Sequence, residues 1–222
     1  MLADLVDVHD LSPSVRSMRL RARGVFQWSP GQYVMLSGPS KSDAPLPISI
    51  ASAPDSAHPG ELEIAVSHDN FLDGCRVGDT VVLAGPFGRF VRRPGATHPV
   101  LFVAAGRGLA PVRALLAQEL AGDGSTPIRL LFGARAEADL LWRSELEALA
   151  RSFPRFVFEP TLSQPNSDWS GRRGRLQAHL AEMVAELPEP EAYVCGPDEM
   201  VNDCVQRLEA LGVHPERIVT ER

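Results

Sequence analysis

Three glycine-bearing turns and one strand hydroxyl are the residues of this chain best placed to do chemistry. In AAGRGLAP, residues 104–111, Gly106 and Gly108 form a G-x-G-x-x-P pattern between an apolar run and a helical stretch. Glycine there lets the backbone turn tightly and approach a ligand, while the helix start points unpaired N–H groups at an anion such as a pyrophosphate. Pro111 replaces the third glycine of the dinucleotide fingerprint, which suits a helix start but departs from that pattern. A plain tight turn is the competing reading. In YVCGPDEM, residues 193–200, a strand leaves into a helix with the Cys195 thiol at its end. That thiol is either a small buried residue or a compact, polarizable side chain beside a reacting ring. No base or cation in the local sequence makes a case for a nucleophilic thiolate. GPFGRF, residues 85–90, places Gly85 and Gly88 where two halves of the chain meet, so it reads as a tight turn or as the lining of a junction site. In LPISIASAP, residues 46–54, Ser49 sits in the middle of a short apolar strand. Either this strand is half-buried in the ordinary way, or its hydroxyls and backbone line a site for a flat ligand.

The elements that must position these residues change rhythm part-way along the chain. Up to about Phe90 it reads as short strands: LVDVHD, VRSMRLRA, QYVMLSG, LPISIAS, ELEIAV and DTVVLAG, separated by turn clusters such as SPGQ, GPSKSDAP and APDSAHPG. In VRSMRLRA, Met18, Leu20 and Ala22 alternate with Ser17, Arg19 and Arg21; in ELEIAV, Leu62, Ile64 and Val66 alternate with Glu61, Glu63 and Ala65. Six strands without a convincing helix predict a six-stranded antiparallel β-barrel. RRPGATHP, residues 92–99, has the composition of a linker. After it strands alternate with helices: VLFVAA, a helix with Val112, Leu115, Leu116 and Leu120 on one face, PIRLLFGA, a helix with a Trp142, Leu146 and Leu149 stripe, RFVFEP, a helix from about Gly174, AYVCG, a last helix and RIVTE. The last helix carries Val201, Cys204, Val205, Leu208 and Leu211, with Pro197 placed for its first turn and Gly212 for its C-terminal cap. This predicts an α/β domain with a five-stranded parallel sheet covered on both faces, its Gly-rich turns gathered beyond the carboxyl ends of the strands. The expected division is a barrel over 1–93, a linker over 94–99 and an α/β domain over 100–222.

Composition narrows the class further. The chain has 222 residues, 44% of them hydrophobic, enough to bury a core in each of two domains and to argue against disorder. Its net charge of −6 arises from interspersed charges, 22 basic against 28 acidic, which argues against a nucleic-acid or anionic-membrane binder. The acidic start MLADLVDVHD does not read as a signal peptide and no apolar run reaches spanning length, so a cytoplasmic protein is expected. Three scattered cysteines, Cys75, Cys195 and Cys204, suit neither a disulfide framework nor an iron–sulfur cluster, and the histidines show no metal-ligand spacing.

Taken in order, GQYVML, PISIASAP, GPFGRF, AAGRGLAPVRALL, FGAR with DLLWRSELEAL, TLSQPNSDWSGRRGRL and CGPDEM make the chain resemble the ferredoxin–NADP reductase superfamily, most closely its small NAD(P)H–flavin reductase branch. The resemblance implies a flavin-binding barrel and a nicotinamide-nucleotide domain, with hydride passing from NAD(P)H to FAD or FMN at their junction and electrons passed on to a separate protein or small-molecule acceptor. It implies that Pro47, Ile48, Ser49 and Ile50 bind the flavin, with Ser49 near flavin N5, and that Gly85 and Gly88 line the same site. Gly106, Arg107, Gly108, Leu109, Ala110 and Pro111 would meet the nucleotide's phosphates and ribose, Gly133, Ala134 and Arg135 its adenosine half, and Cys195, Gly196 and Pro197 the nicotinamide. Ser49 and Cys195 are the candidate catalytic residues, in a site whose main contribution is geometric: donor carbon and acceptor nitrogen held roughly 3 to 3.5 Å apart.

The chain also departs from the family. The strand motif of arginine, any residue, an aromatic and a hydroxyl reads Leu46, Pro47, Ile48, Ser49, so a cation for the flavin phosphate and a stacking ring are missing. AVSHDNFLDGCRVGDTV lacks the longer Gly-and-Ser loop that holds the flavin pyrophosphate in many relatives, VTER ends without a covering aromatic, and Arg107 stands where threonine is usual. These changes imply a loosely held flavin. They also leave open a non-enzymatic or partner-dependent electron-transfer or regulatory subunit on the same fold that has lost autonomous flavin binding.

Overall fold

The alternation in VRSMRLRA produces a strand with Met18 and Leu20 turned inward and Arg19 and Arg21 in solvent. It is β2 (Val15–Ala22), one of six barrel strands with β1 (Leu2–Ser12), β3 (Tyr33–Ser37), β4 (Leu46–Ser49), β5 (Glu61–Ser67) and β6 (Thr80–Phe87). In this computed structural model, residues 1–38, 44–93, 95–122 and 124–221 are described; most of the turn GPSKSDAP, Pro94 of the linker stretch and Arg222 of VTER lie outside them. The strands pair antiparallel in the order β4-β3-β6-β1-β2-β5. A bridge between Ile50 and Ile64 then joins the two edges, closing the sheet around Leu20, Val34, Ile48, Ile50 and Ile64.

The second half is the expected alternation: β7 (Val100–Ala105), α1 (Leu109–Ala121), β8 (Ile128–Ala134), α2 (Arg143–Ser152), β9 (Phe156–Leu162), β10 (Arg172–Arg173), α3 (Leu180–Ala185), β11 (Glu191–Cys195), α4 (Asp198–Ala210) and β12 (Ile218–Glu221). The sheet is parallel, in the order β10-β9-β8-β7-β11-β12. It has one strand more than the five expected, because the two residues of β10 pair with the end of β9; so short a strand leaves no periodicity to read. Both faces of β7 are buried: Phe102 packs with the core around α1, and Leu101 and Val103 with that around α4. Hence VLFVAA is apolar throughout. No helix among the described residues is long and apolar enough to cross a membrane.

Three local expectations shift. Trp142 does not belong to the stripe of α2; it stands just before the helix with φ of 47°, in the left-handed region, because its ring is drawn under Arg113 toward the barrel. The helix expected from about Gly174 begins as a tight turn over Leu176–His179 and becomes α3 only at Leu180. Pro197 caps α4 from outside rather than sitting in its first turn, while Gly212, with φ of 89°, ends it as expected.

The barrel and the α/β domain share a core. Val15, Ala51, Ala65 and Phe90 from the first half pack in one cluster with Leu109, Leu115 and Tyr193 of the second. The stretch with a linker's composition is pinned at its start: Arg92 is buried, pairs with Glu191, donates to Glu119 at 3.1 Å and reaches the His98 carbonyl at 2.9 Å.

Candidate functional site

Strand order alone locates the site. From β7 the chain proceeds outward through β8, β9 and β10 on one side, then returns to lay β11 and β12 on the other. The turns after β7 and β11 therefore leave the sheet side by side in opposite senses, opening a crevice at their carboxyl ends. The fit between those turns is close. A Cβ on Gly108 would lie 2.3 Å from the Cys195 carbonyl oxygen and 2.7 Å from the Gly196 nitrogen, so only glycine lets the turns touch. At Gly106, φ is 54° and a Cβ would meet nothing within 4 Å, leaving its backbone open to the crevice. Helix α1 starts there with no side-chain cap, so the positive end of its dipole is left open to an anion.

The barrel supplies the facing wall. A cleft of about 380 Å³ is lined by Pro47, Ile48 and Ser49 on one side and by Gly106, Arg107, Gly108, Ala110, Cys195, Gly196 and Pro197 on the other. A second cavity of about 970 Å³ shares Gly106 and Pro197 with it and continues over Gly133, Ala134 and Arg135 to Ser163 and Arg175, closed by Ser12, Ser14 and Val15 of the β1–β2 hairpin. Most residues singled out in the sequence thus meet along one continuous crevice. Four do not line it by their side chains. Ile50 and Leu109 are wholly buried and Pro111 is buried within α1, so any part they play there is through backbone position. The Ile50 N–H is already donated to the Gln32 carbonyl at 2.9 Å. Ile48 is 5% exposed, its side chain packed in the barrel core although its strand lines the cleft. Gly85 and Gly88 lie on and just after β6, two strands out from β4, against Tyr33 and Phe87.

Sequence reasoning missed the polar group that holds the two walls together. Arg113, on the first turns of α1, donates to the Ala51 carbonyl at 2.9 Å, to Glu63 of β5 at 3.0 Å and, through two nitrogens, to both oxygens of Glu145 at 2.9 Å. Glu63 also accepts from Ser17 at 2.8 Å and from the Trp142 indole at 3.1 Å, and the Arg113 guanidinium lies 4.9 Å from the Trp142 ring centre. The Arg113 pKa is raised: burial pulls it down, but Glu145 and Glu63 together outweigh that and keep it charged. The local signal was misleading, since the alternation of ELEIAV puts Glu63 on the solvent side of an isolated barrel.

Glu221 was also missed. It pairs in register with Cys195, lines the cleft, and has its carboxyl pKa pushed up by burial. Asp69, in the loop after β5, is held below the usual carboxylate range, first by the Ser67 hydroxyl and, more weakly, by the charge of Arg107. Cys195 is raised from 9.0 to about 12, mainly by burial and secondarily by Glu221. Its thiol is therefore protonated at neutral pH, which leaves it a compact neutral wall. Iodoacetamide at neutral pH should leave Cys195 unmodified in the folded protein and alkylate it after denaturation, as read by peptide mass. Because the folded pKa is the higher one, Cys195 costs no stability below about pH 9 and destabilises the fold progressively as pH rises toward 12.

Comparison with known proteins bears on what this crevice holds. A family model described as the oxidoreductase NAD-binding domain matches residues 102–206. Over 237 aligned residues the chain is 40% identical to ferredoxin–NADP reductase B of Sorangium cellulosum, covering 99% of this chain and 96% of that protein. The chain belongs to the ferredoxin–NADP reductase superfamily. Similarity within the superfamily extends to the toluate 1,2-dioxygenase electron transfer component of Pseudomonas putida, 30% identical over 99% of this chain and 66% of the relative. The chain thus spans slightly under two thirds of that longer protein. Among solved structures, a cytochrome P450 reductase of Amycolatopsis superposes with a TM-score of 0.90 at 28% identity, over 99% of this chain and 68% of the other. As a member of the superfamily, the chain is an oxidoreductase that carries electrons from NAD(P)H by way of a flavin to a separate redox partner.

The residues present fit both groups. The open backbone at Gly106 and the uncapped α1 start suit a nucleotide's phosphates, and the narrow cleft between Ser49 and Cys195 suits flat rings.

Proposed function

We propose that this chain takes hydride from NADPH onto a loosely held FAD or FMN and passes the electrons to a separate protein acceptor. The observation that carries the reading is the cleft in which Ser49 of the barrel faces Gly106, Cys195 and Gly196 of the α/β domain. A bound flavin supplies the redox chemistry, accepting two electrons with the hydride and releasing them to the acceptor. The protein's own residues do the rest. Gly106, Arg107 and Gly108 receive the nucleotide's phosphates at the α1 start, while Cys195, Gly196 and Pro197 place the nicotinamide opposite Ser49, whose hydroxyl donates toward the flavin. Closely packed walls keep water from the transferring hydride. The barrel over 1–93 and the α/β unit over 100–222 are the working halves.

Preference for NADPH rests on the larger cavity. Arg135 and Arg175 both line it, exposed and without an ion-pair partner among the described residues, whereas many other arginines of the chain are paired with carboxylates. Two free guanidiniums beside Ser163 suit the additional phosphate that distinguishes NADPH from NADH. The Sorangium cellulosum relative is a ferredoxin–NADP reductase by name, which supports the same choice and a ferredoxin-like acceptor. Loose flavin binding follows from Leu46, which leaves the flavin phosphate without a cation on this strand, and the cytoplasm is the expected setting.

With added flavin and an acceptor, purified protein should oxidise NADPH faster than NADH at subsaturating concentrations. Arg135→Ala with Arg175→Ala should raise KM for NADPH about a hundredfold, roughly tenfold per charged contact, and leave that for NADH nearly unchanged. Equal effects on both nucleotides would remove the NADPH assignment, and no flavin-dependent oxidation of either would remove the function.

A further inference from the structure

The strand that should carry an aromatic ring for the flavin carries Ile48 instead, and that side chain is enclosed in the barrel core. The neighbouring strands supply what it lacks. In the antiparallel register Tyr33 of β3 stands opposite Ser49 of β4 and, on its other side, opposite Phe87 of β6. Side chains directly opposite one another in such pairs leave the sheet on the same face. Ser49 lines the interdomain cleft, so Tyr33 and Phe87 continue its row outward along the same surface. Three adjacent strands spaced about 4.8 Å apart make a row roughly 10 Å long, which matches the long axis of a three-ring system.

The two rings form a pair with centroids 5.8 Å apart and planes inclined at 41°. Phe87 is 43% exposed and is the one aromatic among the exposed large hydrophobic residues described. The Tyr33 hydroxyl has no hydrogen-bond partner among the described residues. The glycines of GPFG keep both rings bare. A Cβ on Gly88 would approach the Tyr33 ring to 3.0 Å, and one on Gly85 would lie 3.4 Å from the Phe87 ring. Side chains at those positions would cover the faces that a ligand needs.

We infer that Tyr33 and Phe87 are the stacking surface for the flavin ring, replacing the aromatic absent at position 48. This rests on the flavin reading above and adds residues to it. Stacked aromatics prefer offset or tilted contacts with centroids a few ångströms apart, and a ring lying over Ser49 and this pair meets that condition. An electron-rich phenol in contact with a flavin also quenches its fluorescence, which gives a signature independent of turnover.

The test is titration of FAD and of FMN into the full chain, followed by flavin fluorescence and visible absorbance. Wild type should bind with quenched emission. Phe87→Leu and Tyr33→Leu should each weaken binding about tenfold, with melting temperature and NADPH affinity, measured by equilibrium dialysis, unchanged. Tyr33→Phe should keep the affinity while emission of the bound flavin recovers. Because Phe87 is exposed, its leucine variant folds even if a Tyr33 variant does not. If wild type binds flavin and the variants bind equally well with equal quenching, the stacking role is wrong. The same holds if the variants bind flavin normally but lose reduction of a protein acceptor, since the face would then dock the acceptor. If wild type binds neither flavin, the flavin reading itself fails, an outcome distinct from the others because it needs no variant.

Discussion

Gly108→Ala should lower the rate of flavin reduction by NADPH at least a hundredfold. The added methyl would lie 2.3 Å from the Cys195 carbonyl oxygen, 2.5 Å from its carbon and 2.7 Å from the Gly196 nitrogen. All three are backbone atoms, so no side-chain rotation makes room. The turn after β7 must then part from the turn after β11 by about an ångström, and displacement of that size in a site built on proximity costs roughly 10²-fold. Destabilisation of about 1–3 kcal/mol should accompany it, as for other insertions into close-packed positions. Rapid-mixing kinetics on flavin-supplied protein measures the first effect and thermal melting the second. An unchanged rate would mean that these two turns do not form the nucleotide seat.

Arg113→Met should cost about 3 kcal/mol of stability and uncouple the two domains. Glu63 is 9% exposed, and without Arg113 it keeps only the Ser17 and Trp142 donors for a buried carboxylate. Removing one partner of a buried ion pair typically costs about 3–5 kcal/mol, and the partial exposure of Glu145 places this case near the lower end. The methionine retains the apolar stem over Trp142, so the loss reports charge rather than packing. Glu63→Gln added to Arg113→Met should recover part of the stability, giving a coupling energy in a double-mutant cycle by denaturant unfolding. Hydride transfer should fall in the single variant even where it remains folded, because Arg113 also holds the Ala51 carbonyl just beyond Ser49. Additive effects of the two substitutions would show that this group is not the interdomain tie.

Local pattern was enough to read the two-part architecture. Alternation in VRSMRLRA and continuous apolarity in VLFVAA each report how many faces of a strand are covered, and this is a property of the residues themselves. The Gly-rich turns were legible for the same reason, since tight approach at Gly108 demands the smallest residue wherever its neighbour comes from. What stayed hidden depends on contacts between distant parts of the chain. Glu63 reads as a solvent residue until α1 and α2 cover the outer side of β5, and Trp142 reads as a helix residue until Arg113 and Glu63 fix its ring. Glu221 enters the cleft only because β12 pairs beside β11, and Tyr33 and Phe87 meet only through the register of β3 with β6. Contacts between residues 26 to 79 positions apart leave no periodicity in the sequence between them.

Direct transfer of hydride across the cleft is tested most closely with deuterium. Purified protein with bound flavin, mixed anaerobically with NADPH carrying deuterium at one face of the nicotinamide C4, should bleach the visible flavin absorbance. One NADPH should be consumed per flavin, since each carries two electrons. The rate should fall severalfold for deuterium on one face and scarcely change for the other, because the cleft presents a single face of the nicotinamide to Ser49. Bleaching no faster than for free flavin, or equal rates for the two labelled faces, would contradict it.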